Sequence, residues 1–279
     1  MKIAIVTDST SDLPANLATE RRITITPLHV LWDSESFLDG VDITPDAFYA
    51  RLAYSPTLPK SSQPSAGEFA EKFRQAREKE SADAVLCITI SQALSGTYAS
   101  AETARSLVDF PVTVIDSRTA SIALGMTVLM AAEARDRGCS MDEMANIAAA
   151  AGKRSQMFFT PNSLEFLHRG GRIGGAQRWI GTALSIKPIL YVKDGAVASL
   201  ESVRSRKKAL ERTLAILQEH NTARPLRVGL AHSNPPELES FKQQVQEILK
   251  PDVFIVTTTT PVVGVHVGPE TFGIGLLSG

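Results

Sequence analysis

The clearest strand signal in this chain is the segment Ala84-Val85-Leu86-Cys87-Ile88-Thr89-Ile90. A short, nearly continuous apolar run of this kind is typical of a strand that is buried on both faces of a sheet. A turn of small and polar residues follows at 91–97, and an alanine-rich stretch that favours a helix comes next. A strand, a turn and a helix in this order form the unit from which helix-covered parallel sheets are built.

The same pattern surrounds this segment in the first half of the chain. Apolar or β-branched runs predict further strands at 3–7, 23–31 and 112–115. Thr44-Pro45-Asp46 predicts a helix start, and Ser65 with Glu68 fits a capping box, as does the sequence that begins at Ser140. We therefore predict an N-terminal α/β domain over 1–153, with a mostly parallel sheet and helices on both faces.

The second half of the chain predicts a smaller α/β domain over 154–279. Its strand signals lie at 156–160, 188–192, 196–200, 226–231, 253–257 and 272–277. Asp194-Gly195 separates two of these runs and favours the tight turn of a β-hairpin. A basic helix is predicted at 205–220, and another helix after Pro235-Pro236. A length of 279 residues is consistent with two domains.

The composition excludes several classes of protein. Hydrophobic residues make up 43% and charged residues 21%, with a net charge of -1, which argues against a large nucleic-acid-binding surface. No apolar stretch approaches the roughly 20 residues of a membrane span. The N-terminal apolar run is too short for a signal peptide and stops at Asp8, so we expect a cytoplasmic protein. Cys87 and Cys139 have no zinc-site spacing, and Cys87 is expected to be a buried thiol.

Loops rich in hydroxyl groups follow the predicted strands. They lie at 7–11, 61–63, 91–97 and 116–119. Taken one at a time, such residues are most simply helix caps. Ligands of open α/β sheets, however, bind outside the carboxyl ends of the strands, where helix N-termini offer unpaired N–H groups. Four such loops in one domain therefore indicate an anion site at that edge of the sheet.

Two further features leave alternatives open. The segment Gly170-Gly171-Arg172-Ile173-Gly174-Gly175 lacks the glycine spacing of nucleotide-binding loops, so no nucleotide site is predicted. Arg169 and Arg172 are either solvated arginines of a surface turn or contacts for a phosphate that another molecule brings. His266, close to Gly268-Pro269, is either structural or a loop-edge donor of a hydrogen bond to a carboxylate.

Six segments, in the same order along the chain, resemble the DegV family of bacterial fatty-acid-binding proteins. Together they span the chain from end to end. They are Ile5-Val6-Thr7-Asp8-Ser9-Thr10-Ser11-Asp12-Leu13, Lys60-Ser61-Ser62-Gln63-Pro64-Ser65, Leu94-Ser95-Gly96-Thr97-Tyr98, Asp116-Ser117-Arg118, Gly170-Gly171-Arg172-Ile173 and His266-Val267-Gly268-Pro269.

The resemblance implies two α/β domains with a long-chain fatty acid bound between them, and no other cofactor. Its carboxylate would be held by Ser61, with Ser62 adjacent, by Ser95 and by His266. Glu270 stands where the family usually has glycine, so we expect it to reshape the turn or to lower carboxylate affinity. We expect the acyl chain to contact apolar residues of the second half: Phe158, Phe159, Leu164, Phe166, Ile173, Ile180, Leu184 and Ile189.

The better-understood members of this family are the lipid-carrying subunit of a two-component fatty acid kinase. The resemblance therefore implies an ATP-binding kinase subunit as partner, no catalysis by this chain itself, and transient membrane contact for lipid exchange. Arg169 and Arg172 become candidates to contact the phosphoryl group. Arg204, Arg206 and Lys207 become candidates to dock the kinase, with an ordinary solvated helix start as the alternative.

Two other functions are compatible with these residues. One is a serine hydrolase with Ser95 as nucleophile, His266 as base, and Asp8 or Asp116 as the orienting acid. Leu94-Ser95-Gly96 lacks the GxSxG turn on which many hydrolases place the nucleophile. The other is a lipid sensor that has no kinase partner.

Overall fold

The computed structural model describes residues 1–180, 186–220 and 224–278. Its strands are β1 (Ile3–Asp8), β2 (Ile23–Thr26), β3 (His29–Trp32), β4 (Glu35–Leu38), β5 (Lys60–Ser62), β6 (Ala84–Thr89), β7 (Val112–Asp116), β8 (Gln156–Thr160), β9 (Lys187–Lys193), β10 (Ala196–Val203), β11 (Leu226–His232), β12 (Val253–Thr258) and β13 (Phe272–Ser278). Its α-helices are α1 (Ala15–Glu20), α2 (Pro45–Leu52), α3 (Ala66–Glu80), α4 (Thr97–Ala104), α5 (Ser121–Asp136), α6 (Met141–Arg154), α7 (Glu165–Arg169), α8 (Arg206–His220), α9 (Leu238–Leu249) and α10 (Pro261–Val267).

The first sheet has the strand order β2-β1-β6-β7, and all of its pairs are parallel. β1 and β6 are buried along their whole length, as a sheet covered on both faces requires. Phe69 and Phe73 of α3 pack on one face, and Leu124 and Val128 of α5 pack on the other. The predicted α/β fold with helices on both faces of a parallel sheet is confirmed.

The predicted helix starts are also present. Ser65 and Glu68 form a capping box at the start of α3, and Ser140 and Glu143 form one at the start of α6. The Thr44 side chain accepts a hydrogen bond from the backbone of α2, whose first residue is a proline. Each cap occupies backbone N–H groups that a helix start otherwise leaves unpaired.

The second sheet is mixed and has the order β10-β9-β8-β13-β11-β12. β11 and β12 are parallel, and the other pairs are antiparallel. The predicted hairpin joins β9 to β10 through Asp194 and Gly195, both of which have positive φ, as the tight turn of a hairpin requires. Apolar residues of α8 and α9 cover one face of this sheet, and α5 lies against the other.

A third sheet was not predicted. The run at 23–31 forms two strands, because the chain turns at Pro27-Leu28 and the Leu28 N–H donates to the Ser9 hydroxyl at 3.0 Å. β2 stays in the first sheet, whereas β3 pairs with β4 and β5 in a separate antiparallel sheet. β5 has only three residues, all polar, and so lacks the apolar alternation by which strands are identified.

No helix was predicted around His266, which was expected at a loop edge beside Gly268-Pro269. His266 lies in the last turn of α10, which begins with Pro261 as its first helical residue. Val262 and Val265 of this helix pack with Phe48 of α2. The predicted domain boundary at 153/154 coincides with the end of α6 and stays a prediction.

Close packing of β11 against α5 generates a test of this arrangement. A Cβ at Gly229 would overlap Cγ1 of the buried Ile122, so we expect Gly229→Ala to destabilise the fold by about 1–3 kcal/mol through overpacking. Urea unfolding measures this change. Gly67→Ala is the control, because a Cβ there meets no atom nearer than 3.8 Å. Equal stability of the two variants would contradict the packing of β11 on α5.

Candidate functional site

A cavity of about 820 Å³, including its open mouth, lies between the first sheet, the second sheet and α10. The wall is largely aliphatic. Its polar residues are Ser61, Ser95, Arg172 and His266 at the rim, and Thr10, Ser121, Thr259 and Thr271 elsewhere. The apolar wall comprises Leu28, Ile90, Leu94, Ala120, Met157, Phe159, Leu167, Val192, Val197, Val262, Val263 and Val267, together with Gly273.

The structure brings Ser61, Ser95 and His266 to this cavity. Ser61 lies on β5, and its Oγ is 2.7 Å from Nε2 of His266 at the far end of the chain. Ser95 lies in the turn after β6, and its Oγ is 2.8 Å from the hydroxyl of Thr97. Two hydroxyls and an imidazole nitrogen can all donate hydrogen bonds to a carboxylate.

The imidazole of His266 is held in its neutral form. Burial, and secondly the positive charge of Arg172, lower its pKa to about 4. Its Nδ1 is buried and has no hydrogen-bond partner in the described part of the chain, and Gly170 lies directly against it. The partner of the imidazole is therefore Ser61, through Nε2.

Arg172 lies at the edge of the cavity and joins two loops. Its Nε donates to the carbonyl of Leu94 at 3.0 Å, and Nη1 donates to the carbonyl of Gly170 at 2.7 Å. A polar depression adjoins the cavity at Ser61, and Arg172, Arg169 and Lys60 line it. Arg169 is paired with Glu165 at 3.0 Å but stays largely exposed. The two predicted arginines thus lie beside the Ser61–His266 pair.

Two of the predicted residues at this end are not brought to the cavity. Ser62 follows Ser61 on β5, so its side chain projects to the other face of the strand, and its hydroxyl lies 3.4 Å from the carbonyl of Gln63. Glu270 has a φ of 57°, in the left-handed region that favours glycine, and its effect on the turn and on carboxylate affinity stays a prediction. Its carboxylate accepts a hydrogen bond from Asn162 at 2.8 Å.

The predicted docking residues do not form a single surface. Arg206 is only 16% exposed, and its Nε binds both carboxylate oxygens of Glu237, at 2.9 and 3.0 Å. It is therefore unavailable to a partner. Arg204 is exposed, and Lys207 is 87% exposed, with a loose 3.9 Å ion pair to Glu211.

Of the residues that were predicted to contact the acyl chain, Phe159 lines the cavity. Alternation along β8 puts Met157 on the same face as Phe159, and this pattern is the signal that could have identified Met157. Phe158 and Ile189 belong to the core under α8 and α9 instead. Leu184 lies outside the described residues. Leu164, Phe166, Ile173 and Ile180 are absent from the cavity wall among the residues that the structure describes.

Hydroxyl side chains in the deeper wall were not predicted as a group. Thr10 donates to Asp8, Ser121 donates to Asp12, and Thr271 donates to the carbonyl of Val267. Their hydrogens are thus committed to partners within the protein. These three residues therefore do not offer a free donor to a charged ligand group.

The geometry does not support a hydrolase triad. His266 pairs with Ser61 rather than with Ser95. Asp8 accepts hydrogen bonds from Thr10 and from the Ile90 N–H, and Asp116 accepts from the backbone N–H groups of Gln92 and Arg118. Within the described ranges, neither candidate acid binds the imidazole, which a general base requires for its orientation.

The described residues include no group of three or more His, Cys, Asp or Glu side chains that could hold a metal ion. In the same part of the chain, none of the helices is both long enough and apolar enough to cross a membrane.

Known proteins resemble this chain over its whole length. The profile of the DegV family, described as uncharacterised proteins, matches residues 2–279. A DegV domain-containing protein of Clostridium perfringens is 34% identical over 281 residues, covering 98% of each chain. A fatty-acid-binding DegV family protein of Thermus thermophilus is 36% identical, with a TM-score of 0.93 and full coverage of both chains. DegV of Bacillus subtilis, described as a fatty-acid-binding protein, is 31% identical, with a TM-score of 0.91 and the same coverage.

The contact between Gly170 and His266 generates a prediction. The φ of Gly170 is -74°, which alanine adopts without strain, but a Cβ would overlap Nδ1 of His266. We expect Gly170→Ala to displace the imidazole toward solvent and to raise its pKa from about 4 toward the ordinary 6.5. NMR titration of the histidine ring signals measures this change. Gly67→Ala is the control, and an unchanged His266 titration in Gly170→Ala would contradict the packing described.

Proposed function

The chain belongs to the DegV family, and on that premise we propose that it binds a long-chain fatty acid in the cavity between its two sheets. The carboxylate lies at the mouth, where the hydroxyls of Ser61 and Ser95 and Nε2 of His266 donate hydrogen bonds to it. The acyl chain extends along the aliphatic wall past Phe159 and Met157. The protein acts in the cytoplasm.

The observation that carries this proposal is the division of the cavity into two chemically different parts. An aliphatic wall suits an acyl chain, which gains about 0.8 kcal/mol for each CH₂ that it buries. The donors at the mouth suit a carboxylate, since hydrogen bonds to an ionised group are roughly twice as strong as neutral ones. Solved relatives with TM-scores of 0.93 and 0.91 are described as fatty-acid-binding, which supports the same ligand class.

His266 is suited to this role because it is neutral. A neutral imidazole carries one N–H, and when that hydrogen is on Nε2 it points toward Ser61 and the mouth. On binding, the carboxylate takes the place of the Ser61–His266 contact as the acceptor for both groups. Arg172, at the edge of the cavity, adds a favourable positive charge.

We propose further that the bound acid is presented to the ATP-binding subunit of a fatty acid kinase. A carboxylate oxygen attacks the γ-phosphorus of ATP, the bond to the bridging oxygen breaks, and ADP leaves with the electron pair. This chain supplies the acid and does not bind the nucleotide itself. Arg169 and Arg172 lie in the depression next to Ser61, where they steady the transferred phosphoryl group. Arg204 and Lys207 remain the exposed docking candidates.

Two adjacent serines test the carboxylate site. We expect Ser61→Ala to weaken fatty acid binding by about 1.5–3 kcal/mol, because a charge-assisted hydrogen bond is lost. Ser62→Ala should bind as the parent does, since that side chain does not face the cavity. Titration of delipidated protein with a fluorescent long-chain fatty acid gives both affinities. Equal losses in the two variants would contradict the assignment.

The kinase role is tested by product formation. We expect the lipid-loaded protein, a bacterial fatty acid kinase ATP-binding subunit and ATP to give an acyl phosphate, which hydroxylamine traps as the hydroxamate. Arg169→Ala should lower its rate with little loss of bound lipid, because this arginine lines the adjacent depression and not the lipid cavity. The control omits the kinase subunit. Tight lipid binding without any product would favour a lipid sensor over a kinase subunit.

A further inference from the structure

Two buried carboxyl groups of the N-terminal region hold the first turn of α10. Asp12 Oδ1 accepts a hydrogen bond from the N–H of Thr260 at 2.8 Å, and Asp39 Oδ1 accepts one from the N–H of Val262 at 3.1 Å. Asp12 is 1% exposed and Asp39 is 3% exposed. The contacts join residues that are 248 and 223 positions apart in the sequence. A helix that lies late in the chain is thus anchored to the N-terminal half.

The middle of α10 packs closely against α2. A Cβ at Gly264 would lie 2.7 Å from the Tyr49 hydroxyl, which itself donates to the carbonyl of Thr259 at 3.2 Å. The helix has seven residues and is therefore only about 10 Å long. His266 lies in its last turn, so only one to two helical turns separate His266 from the two anchored N–H groups.

Burial of the Asp12 and Asp39 carboxyl groups lowers the stability of the folded state when they are ionised. Burial raises the pKa of Asp12 and of Asp39 to about 7, and the neighbouring charges act in the same direction. The titratable groups that face them are Asp8 and Tyr49, and they include no cation. Hydrophobic side chains would avoid this cost but would leave the N–H groups of Thr260 and Val262 unpaired. The two carboxyls thus supply acceptors at the start of α10 despite the cost of burying them.

We propose that Asp12 and Asp39 are positioning residues of the carboxylate site. They fix the first turn of α10 so that Nε2 of His266 meets Ser61 at the mouth of the cavity. The part of this inference that concerns the lipid rests on the proposed function. The part that concerns the placement of His266 does not.

Single alanine variants test the proposal, each leaving the other anchor in place. In lipid-free Asp12→Ala or Asp39→Ala, we expect the pKa of His266 to rise from about 4 toward 6.5, because the imidazole loses its enclosure. We expect long-chain fatty acid affinity to fall about tenfold, which corresponds to 1.4 kcal/mol. Asp12→Asn and Asp39→Asn keep a carbonyl acceptor for each N–H and should restore both properties. NMR titration and fluorescent-lipid binding give the two readouts.

Asp8→Asn is the matched control. Asp8 is equally buried, and its hydrogen bonds go to Thr10 and Ile90 rather than to α10, so the His266 titration should not change. Unchanged His266 titration in both alanine variants would overturn the proposal. If neither alanine variant folds, Gly264→Ala displaces α10 at its middle, and an unchanged His266 titration there would overturn it equally. If the parent protein binds no fatty acid, the proposed function fails while the His266 titration still tests the positioning.

The pH dependence of stability separately tests the energetic cost of burying Asp12 and Asp39. Because the folded-state pKa values of about 7 exceed the ordinary 3.8, ionisation of Asp12 and Asp39 destabilises the fold progressively between pH 4 and 7. We expect the double variant Asp12→Asn and Asp39→Asn to melt at a higher temperature than the parent at pH 8. The difference should shrink toward pH 4. A lower melting temperature at pH 8 would overturn the argument that these carboxyls are kept at a cost.

Discussion

The burial of α5 between two sheets is the constraint on which the rest of the structure depends. Twelve of its 16 residues are buried, as expected for a helix that is apolar on all sides. The first sheet packs on Leu124 and Val128. The second sheet approaches most closely at Gly229 and Gly275, where a Cβ would overlap Ile122 and Met126. Near the other end of the helix, Arg227 forms a bidentate ion pair with Glu133, in which Nη1 and Nη2 each lie 2.7 Å from a carboxylate oxygen. One helix thereby fixes the two sheets relative to each other.

The cavity follows from this arrangement. It lies at the amino end of α5, beyond which no helix separates the two sheets. The first sheet contributes the loops after β1 and β6, and the second contributes alternate residues of β8 together with Gly273 of β13. The small third sheet contributes Ser61, and α10 closes the remaining side with His266. Elements from both halves of the chain therefore meet around one cavity.

The features that could be predicted from the sequence are those with local causes. Apolar runs identified β1, β6 and β7, and the caps at Thr44, Ser65 and Ser140 identified three helix starts. The third sheet had no such signal, because β5 is short and polar and finds its partner only after folding. α10 is rich in valine and glycine, which are weak helix formers, and it is held by contacts with residues more than 200 positions away.

In the candidate site, too, only the features with a local sequence signal could be predicted. The hydroxyl-rich loops indicated an anion site at the strand ends, but family resemblance was needed to select Ser61, Ser95 and His266. No local pattern could pair Ser61 with His266, because 205 positions separate them. Alternation on β8 could have identified Met157 beside Phe159. Arg206 has low exposure because it is paired with Glu237. The sequence around 204–208 does not reveal the position of Glu237.

Native mass spectrometry of the full chain, purified gently from bacteria, tests the central claim most directly. The account predicts a complex of one chain with one long-chain fatty acid, which is released as a free acid on denaturation. A chain that is repeatedly empty, and that retains no fatty acid when one is offered to the purified protein, would contradict it.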